Sequence, residues 1–423
     1  MKNPSLEDKK RALSFEWWRE APRPAKKALV AASLGWMLDS FDVMLYSLVL
    51  ASLMTELHLS KSTAGVLGSI TLLAAAAGGL CFGIIADRFG RTRALMASVL
   101  IYAVFTAACG LAQNFVQLAV FRILLGLGMG GEWASGASLV SETWPAEHRG
   151  KALGFMQSSW AIGYALAAFV AAIVMPLGGW RAVFFVGVLP AFLTLWIRRD
   201  VEESEVWKNT RNAASSTFAG FAEIFRGKLL PLTVALTLMN ACCLFAWWGF
   251  NLWVPAYLSL PIAQGGVGLT STAMSVVVIV MQVGMWFGYI TFGFVSDSIG
   301  RKRTYVTYLL AAATLLMLYG TTRSPLLLLA LGPFVAFFGT GYYTGFAAVT
   351  AEIYDTRVRS TAQGFTYNAG RVASAAAPFT VGSLAQKHGF GAAFCAGALS
   401  FLLAAFFWIW IPETRGRRLS TDI

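Results

Sequence analysis

Gly83-Ile-Ile-Ala-Asp87-Arg-Phe-Gly90-Arg91-Thr-Arg93 recurs 210 residues later as Gly293-Phe-Val-Ser-Asp297-Ser-Ile-Gly300-Arg301-Lys-Arg303. Five positions are identical: Gly83 with Gly293, Asp87 with Asp297, Gly90 with Gly300, Arg91 with Arg301 and Arg93 with Arg303. The same offset aligns Glu142 with Glu352, Arg149 with Arg359, Gly154 with Gly364 and Glu203 with Glu413. A single Gly-Asp-Gly-Arg turn would say little, but matches held in one register along the chain imply a duplicated unit. Each copy lies between two long apolar runs, so the unit consists of apolar segments joined by charged turns.

Composition says what solvent those segments face. Of 423 residues, 57% are hydrophobic and only 13% charged, against about 25% charged in soluble domains. So few charges cannot cover a water-facing surface of this size, which excludes a soluble globular fold. A spanning helix takes about 20 apolar residues. Twelve runs qualify, at about 28–54, 63–86, 94–112, 116–140, 151–175, 180–198, 229–258, 271–295, 304–320, 325–349, 361–384 and 390–411. The longest polar stretch divides them six and six. The expected organisation is a tail at 1–27, a six-helix bundle at 28–198, a loop at 199–228, a second bundle at 229–411 and a tail at 412–423. Cys81, Cys109, Cys242, Cys243 and Cys395 lie inside apolar runs and read as packing residues. His58, His148 and His388 are scattered and make no metal or catalytic set.

Lysine and arginine placement sets orientation. With the N-terminus in the cytoplasm, 27 of the 33 basic residues fall in the tails and inward turns. Only Lys61, Arg181, Arg323 and Lys387 face outward, while Arg122 and Arg371 lie within runs. Both termini are therefore expected on the cytoplasmic side, in a multi-pass protein of the plasma (inner) membrane. The net charge of +12 faces anionic lipid and calls for no nucleic acid.

The repeated turn, the Glu142…Arg149-Gly and Glu352…Arg359 loops and the terminal Pro412-Glu413-Thr414-Arg415-Gly416 resemble the major facilitator superfamily over residues 28–416. The resemblance implies an all-α membrane protein of twelve transmembrane helices in two pseudo-symmetric six-helix bundles. These would rock about a central site lined by helices 1, 4, 7 and 10. It also gives the turns a role. Gly90 and Gly300 permit the tight turn, and Asp87 is expected beside a helix amino end of the opposite half, where the dipole is positive. Arg91 is expected to bridge Asp87 to Glu142, and Arg301 to bridge Asp297 to Glu352, as a cytoplasmic gate that latches the outward-open state. The alternative is a solvated topology signal.

Charges within a bilayer are costly and mark function by default. The runs contain five: Asp39 and Asp42 in the first, Arg122 and Glu132 in the fourth and Arg371 in the eleventh. At 1.5 Å per residue, Asp42 lies about 4–5 Å outward of Asp39, Arg122 about 9 Å outward and Glu132 about 6 Å inward. Arg122 is thus expected within reach of Asp42, and a proton shared between Asp39 and Asp42. Together the four suit proton coupling, the alternative being a permanent cluster holding run 1 to run 4. Arg371, with Tyr367 and Asn368 one turn back, has no acid within the apolar runs of its own half. Its guanidinium fits a carboxylate bidentately, either on a substrate or on Asp39 or Asp42. Tyr46, Trp247, Asn251 and Tyr342 are further expected substrate contacts, alongside Gln157, Trp160, Asn240, Trp248 and Tyr343.

Gly35-Trp36-Met-Leu-Asp39-Ser-Phe41-Asp42, Gly130-Gly131-Glu132-Trp133 and Tyr367-Asn368-Ala-Gly370-Arg371 resemble the sialate and lactate proton symporter group. The Asp-x-Phe-Asp element is shared with aromatic-acid symporters. Fungal lactate carriers have an Asn…His…Gln-Asp motif in helix 7, whereas Asn240 to Asn251 here contains neither His nor Asp. The reading is a secondary active transporter carrying a small organic anion (lactate, sialate or an aromatic acid) with protons. It needs no cofactor beyond the proton gradient, and a monomer is expected. The alternatives are a sugar porter, a drug/proton antiporter or a non-transporting receptor. No nucleophile-base pair or phosphate loop supports an enzyme.

Overall fold

The computed structural model describes residues 16–201, 203, 223–227 and 229–415. Among these every element is helical: α1 (Arg23–Glu56), α2 (Lys61–Phe89), α3 (Arg91–Cys109), α4 (Phe115–Thr143), α5 (Ala146–Val186), α6 (Ala191–Asp200), α7 (Leu229–Ser259), α8 (Ser271–Ile299), α9 (Arg301–Thr321), α10 (Pro325–Thr340), α11 (Tyr343–Ile353), α12 (Thr356–Ser374) and α13 (Ala377–Phe407). A helix satisfies its own backbone in hydrocarbon, where water cannot. Ten segments among the described residues are long and apolar enough to cross a membrane.

Two of those ten each hold two of the runs read from sequence. Within α5, Gly179 takes φ 68° and ψ −174°, and within α13 Gly389 takes φ 81° and ψ 168°. The contacts show that the chain doubles back at both. Along α1, the Ser40 hydroxyl donates to the Trp160 carbonyl at 2.8 Å, and the Trp180 indole donates to Glu56 at 2.6 Å. Gly187 then returns to lie beside Asp42, and Asp200 reaches Lys27 at 3.5 Å. Along α7, the Trp253 indole donates to the Pro378 carbonyl at 2.9 Å, Phe390 packs on Tyr257, and the Ser400 hydroxyl comes back to the Cys242 carbonyl at 3.0 Å. Glycine's freedom at positive φ makes these single-residue reversals possible. Gly90 and Gly300, at φ 114° and 108°, do the same for the repeated turns.

Two further breaks were not foreseen. α10 gives way to α11 at Gly341–Tyr342, and α12 to α13 at Ala375–Ala376. Both interrupt runs that read as continuous, although Gly341 caps the end of α10 and Pro378 stands in the first turn of α13.

The halves meet most closely on the face away from the repeated turns. Ser47 donates to the Leu252 carbonyl at 2.7 Å, the Ser62 amide donates to Gln386 at 3.0 Å, and the Phe379 amide donates to Ser69 at 3.2 Å. Thr272 donates to the Ala172 carbonyl at 3.4 Å. Gly65 faces the Pro378 carbonyl with no room for a β-carbon. That face is shut.

The packing is testable. A β-carbon on Gly163 would come within 1.8 Å of the Met37 carbonyl, whereas one on Gly293 would meet nothing within 4 Å. Gly163→Val should lower thermal stability in detergent by at least the 1–3 kcal/mol typical of overpacking. Gly293→Ala should leave the unfolding midpoint near wild type.

Candidate functional site

The buried charges gather where α1, α4 and α12 approach one another. Asp39 is 1% exposed, Glu132 is 0% and Arg371 is 5%. Gly35 lets Glu132 press against α1: a β-carbon there would lie 2.5 Å from Glu132 Oε1. The Tyr102 hydroxyl reaches the Gly35 carbonyl beside it at 3.4 Å. Neither Glu132 oxygen has a hydrogen-bond partner, nor does Asp39 Oδ2. Arg371 acts electrostatically on Asp39 from the other half of the molecule. Among the described residues it makes no ion pair within 4.0 Å, so the direct bridge to Asp39 or Asp42 that the sequence left open is not formed. Arg371 sits in the last turn of α12, just before the break, where the helix dipole favours a cation.

Tyr367 lies close enough to interact electrostatically with Arg371, while the Asn368 amide is turned back on the Gly364 carbonyl at 2.9 Å. Indoles fill the boundary nearby. Trp36 stands 4.7 Å from Trp160, which meets Trp248 edge-on at 6.0 Å. The Trp36 indole nitrogen is buried without a partner. Gln157 and Tyr289 approach each other across the halves.

Several expected members lie elsewhere. Arg122 does not pair with Asp42. Its Nε donates to the Thr71 hydroxyl at 3.0 Å, and its guanidinium stacks 4.3 Å from the Tyr46 ring centroid. Tyr46 in turn donates to the Ala64 carbonyl at 2.8 Å, so Tyr46 and Arg122 knit α1, α2 and α4 together rather than lining the centre. Asp42 is turned to Thr106 on α3 and to Gly187. The rise along the helix does not give the direction in which Arg122 points. Trp247 packs on Gly339 and Phe250 inside its own half, and its neighbour Trp248 is the one at the boundary. Tyr342 bonds the Cys243 carbonyl at 3.2 Å and stacks on Tyr343. Asn251 belongs to the shut face, where its carbonyl accepts from Ser47 at 3.1 Å.

The repeated turns form matching networks, each within its own half. Arg91 reaches Glu142 at 3.0 Å, and Arg301 reaches Glu352 at 3.0 Å as well as Asp297 at 2.5 Å. The side chain of Asp87 lies outside the described residues. Sequence aligned Glu203 with Glu413 but gave them no task. Each carboxylate caps the helix that follows the turn: Glu203 accepts from the Arg91 amide and Glu413 from the Arg301 amide, both at 2.8 Å. Glu413 also accepts from the Lys302, Thr414 and Arg415 amides. Burial alone would raise its pKa, but these amides outweigh it and hold the carboxyl below the usual glutamate range.

A model of the Major Facilitator Superfamily matches residues 32–290 and 258–421. A sialic acid transporter of Escherichia coli (strain K12) is 32% identical over 387 residues, covering 90% of this chain and 92% of the relative. A cis,cis-muconate transport protein of Acinetobacter baylyi is 32% identical over 398 residues, covering 92% and 94%. Among solved structures, the inward-open xylose transporter of E. coli matches with a TM-score of 0.74 at 22% identity, covering 93% of this chain and 98% of that one. That likeness concerns the fold.

Glu413 supplies a pH test. A carboxylate whose folded pKa is depressed stabilises fully above its unfolded value, and the effect is lost as pH falls through the folded one. Glu413→Gln should therefore cost about 0.5–1 kcal/mol at pH 7, the low end for a lost cap. The difference from wild type should begin to shrink below the ordinary glutamate range and close as pH falls through the depressed pKa. Thermal unfolding measured across pH follows both.

Proposed function

The chain belongs to the Major Facilitator Superfamily and is a multi-pass membrane transporter rather than an enzyme, and we propose that it carries a small organic anion together with protons by alternating access. The observation that carries this reading is Arg371, a buried cation of the second half that makes no ion pair among the described residues and acts electrostatically on the buried Asp39 of the first. An organic carboxylate would satisfy that guanidinium in two parallel hydrogen bonds. It would also cancel the field that Arg371 exerts at Asp39, whose charge would then be answered by a proton. Anion and proton thus load together and leave together, which is symport. The names of two relatives, for sialic acid and cis,cis-muconate, are those of carboxylic acids and support this class.

In this reading Tyr367, Asn368 and the Trp36–Trp160–Trp248 indoles surround the anion. Glu132 and Asp42 are further proton stations, and Arg122 biases their field from its seat on Tyr46. The Gly179 and Gly389 reversals make the ten apolar segments twelve crossings in two six-helix bundles. Both termini then lie in the cytoplasm, and the chain works as a monomer in the plasma membrane, without a cofactor. Asp87, Arg91 and Glu142, with Asp297, Arg301 and Glu352, form the cytoplasmic gate.

Proteoliposomes test the coupling. Uptake of labelled sialate, muconate or benzoate should rise with an inward proton gradient and collapse with a protonophore; gradient-independent uptake would remove proton coupling. Arg371→Lys, which keeps the charge but loses the fork, should weaken binding of the transported acid about tenfold or more, and unchanged affinity would overturn the anion assignment. Asp39→Asn should retain counterflow exchange but lose gradient-driven accumulation.

A further inference from the structure

Lys61 opens α2 on the shut face, one of four basic residues outside the tails, inward turns and runs. A cation is misplaced there by the rules of its own helix, since the first turn carries the positive end of the dipole. Its side chain has left that environment for the other half of the molecule. Nζ donates to the Gln264 carbonyl at 2.7 Å and to the Ala385 carbonyl at 3.5 Å, and it lies 5.0 Å from the centre of the Phe390 ring. Gln264 ends the 3-10 turn Ile262–Gln264, and Ala385 stands four residues before the Gly389 reversal. Both carbonyls thus lie at or near the trailing end of a helical segment of the second half and accept from the ammonium. The ammonium is poorly suited to its own half and well suited to the other.

The surroundings reinforce the contact. Gly382 brings the second half against the Lys61 carbonyl with no space for a β-carbon. Beside it, Ser62 meets Gln386 and Ser383, and Ser69 accepts from the Phe379 amide. Among the described residues no carboxylate lies within 4.0 Å of Lys61. The ammonium is held by neutral acceptors alone, which bind a cation less firmly than a carboxylate does. Such a contact closes the face and can still let go in each cycle.

We propose that Lys61 is the latch of the outer gate, holding the two halves closed on the face opposite the repeated turns by capping two helical ends of the second half. The contact exists only while that face is shut, and its rupture is a step of every return to the outward-open state. This inference does not depend on which solute is carried or on proton coupling.

Hydrogen exchange of the full chain in nanodiscs, with no solute added, tests it. In Lys61→Met, exchange in peptides 61–69 and 377–386 should rise about tenfold, as expected for losing hydrogen bonds to a charged group. Exchange at the repeated turns, 87–93 and 296–303, should fall, because opening one face closes the other. Lys61→Arg, which keeps a cation at the same place, should stay near wild type. Unchanged exchange in Lys61→Met would overturn the latch. So would a rise confined to 61–69, which is fraying of α2, or a rise at both faces, which is loss of the fold.

Discussion

A charge placed in hydrocarbon must be answered by another charge or by the protein's own dipoles, and the arrangement of this molecule follows from how each charge is answered. At the repeated turns, arginines meet carboxylates directly, and two further carboxylates cap the helices that follow. Arg122 is answered inside the first half by an aromatic face and a threonine hydroxyl. Lys61 is answered by the trailing carbonyls of the second half. Arg371 alone of these cations is left with a distant electrostatic partner, Asp39. In the proposed reading, an incoming solute would answer Arg371.

The two halves use the same turn chemistry and differ in what they bury. Arg91 and Arg301 occupy equivalent places, and Glu203 and Glu413 hold equivalent amides at equal distance. A duplicated unit explains that equality. It does not explain why the first half buries Asp39, Asp42 and Glu132 while the second buries Arg371. The asymmetry puts carboxyl groups on one side of the boundary and a guanidinium on the other. In the proposed alternating access, rocking the halves would change the distance between them, so motion and charge would be coupled by geometry.

Much of this was legible in the sequence, and what was not has a definite cause. Most runs match helices to within a few residues, since hydrocarbon thickness sets their length, while the runs at 325–349 and 361–384 are each broken within. The 210-residue offset located both networks at the turns. The pairing of Arg122 with Asp42 failed because rise per residue gives depth, whereas the direction of a side chain depends on how its helix is rotated. Tyr46, one turn on from Asp42, took the guanidinium instead. The breaks at Gly341–Tyr342 and Ala375–Ala376 carry signals, Gly341 at the end of α10 and Pro378 at the start of α13, but these are outweighed in the sequence by the unbroken apolar runs around them. Glu203 and Glu413 were aligned without a role, because a cap reaching 112 residues back along the chain has no local pattern.

The same geometry separates the two aspartates that the sequence grouped. Three residues along a helix turn the side chain through about 300°, so Asp42 points about 60° away from Asp39. The rotation takes Asp42 off the boundary and into the first half, against Thr106 and Gly187, while Asp39 keeps Arg371 in range. A carboxylate that the cation reaches can respond to whether that cation is occupied; one enclosed within a single half feels the cycle only through its neighbour. In the proposed symport, Asp39 is therefore the residue at which solute and proton would exchange influence. Asp42 and Glu132 neighbour it electrostatically from within the first half.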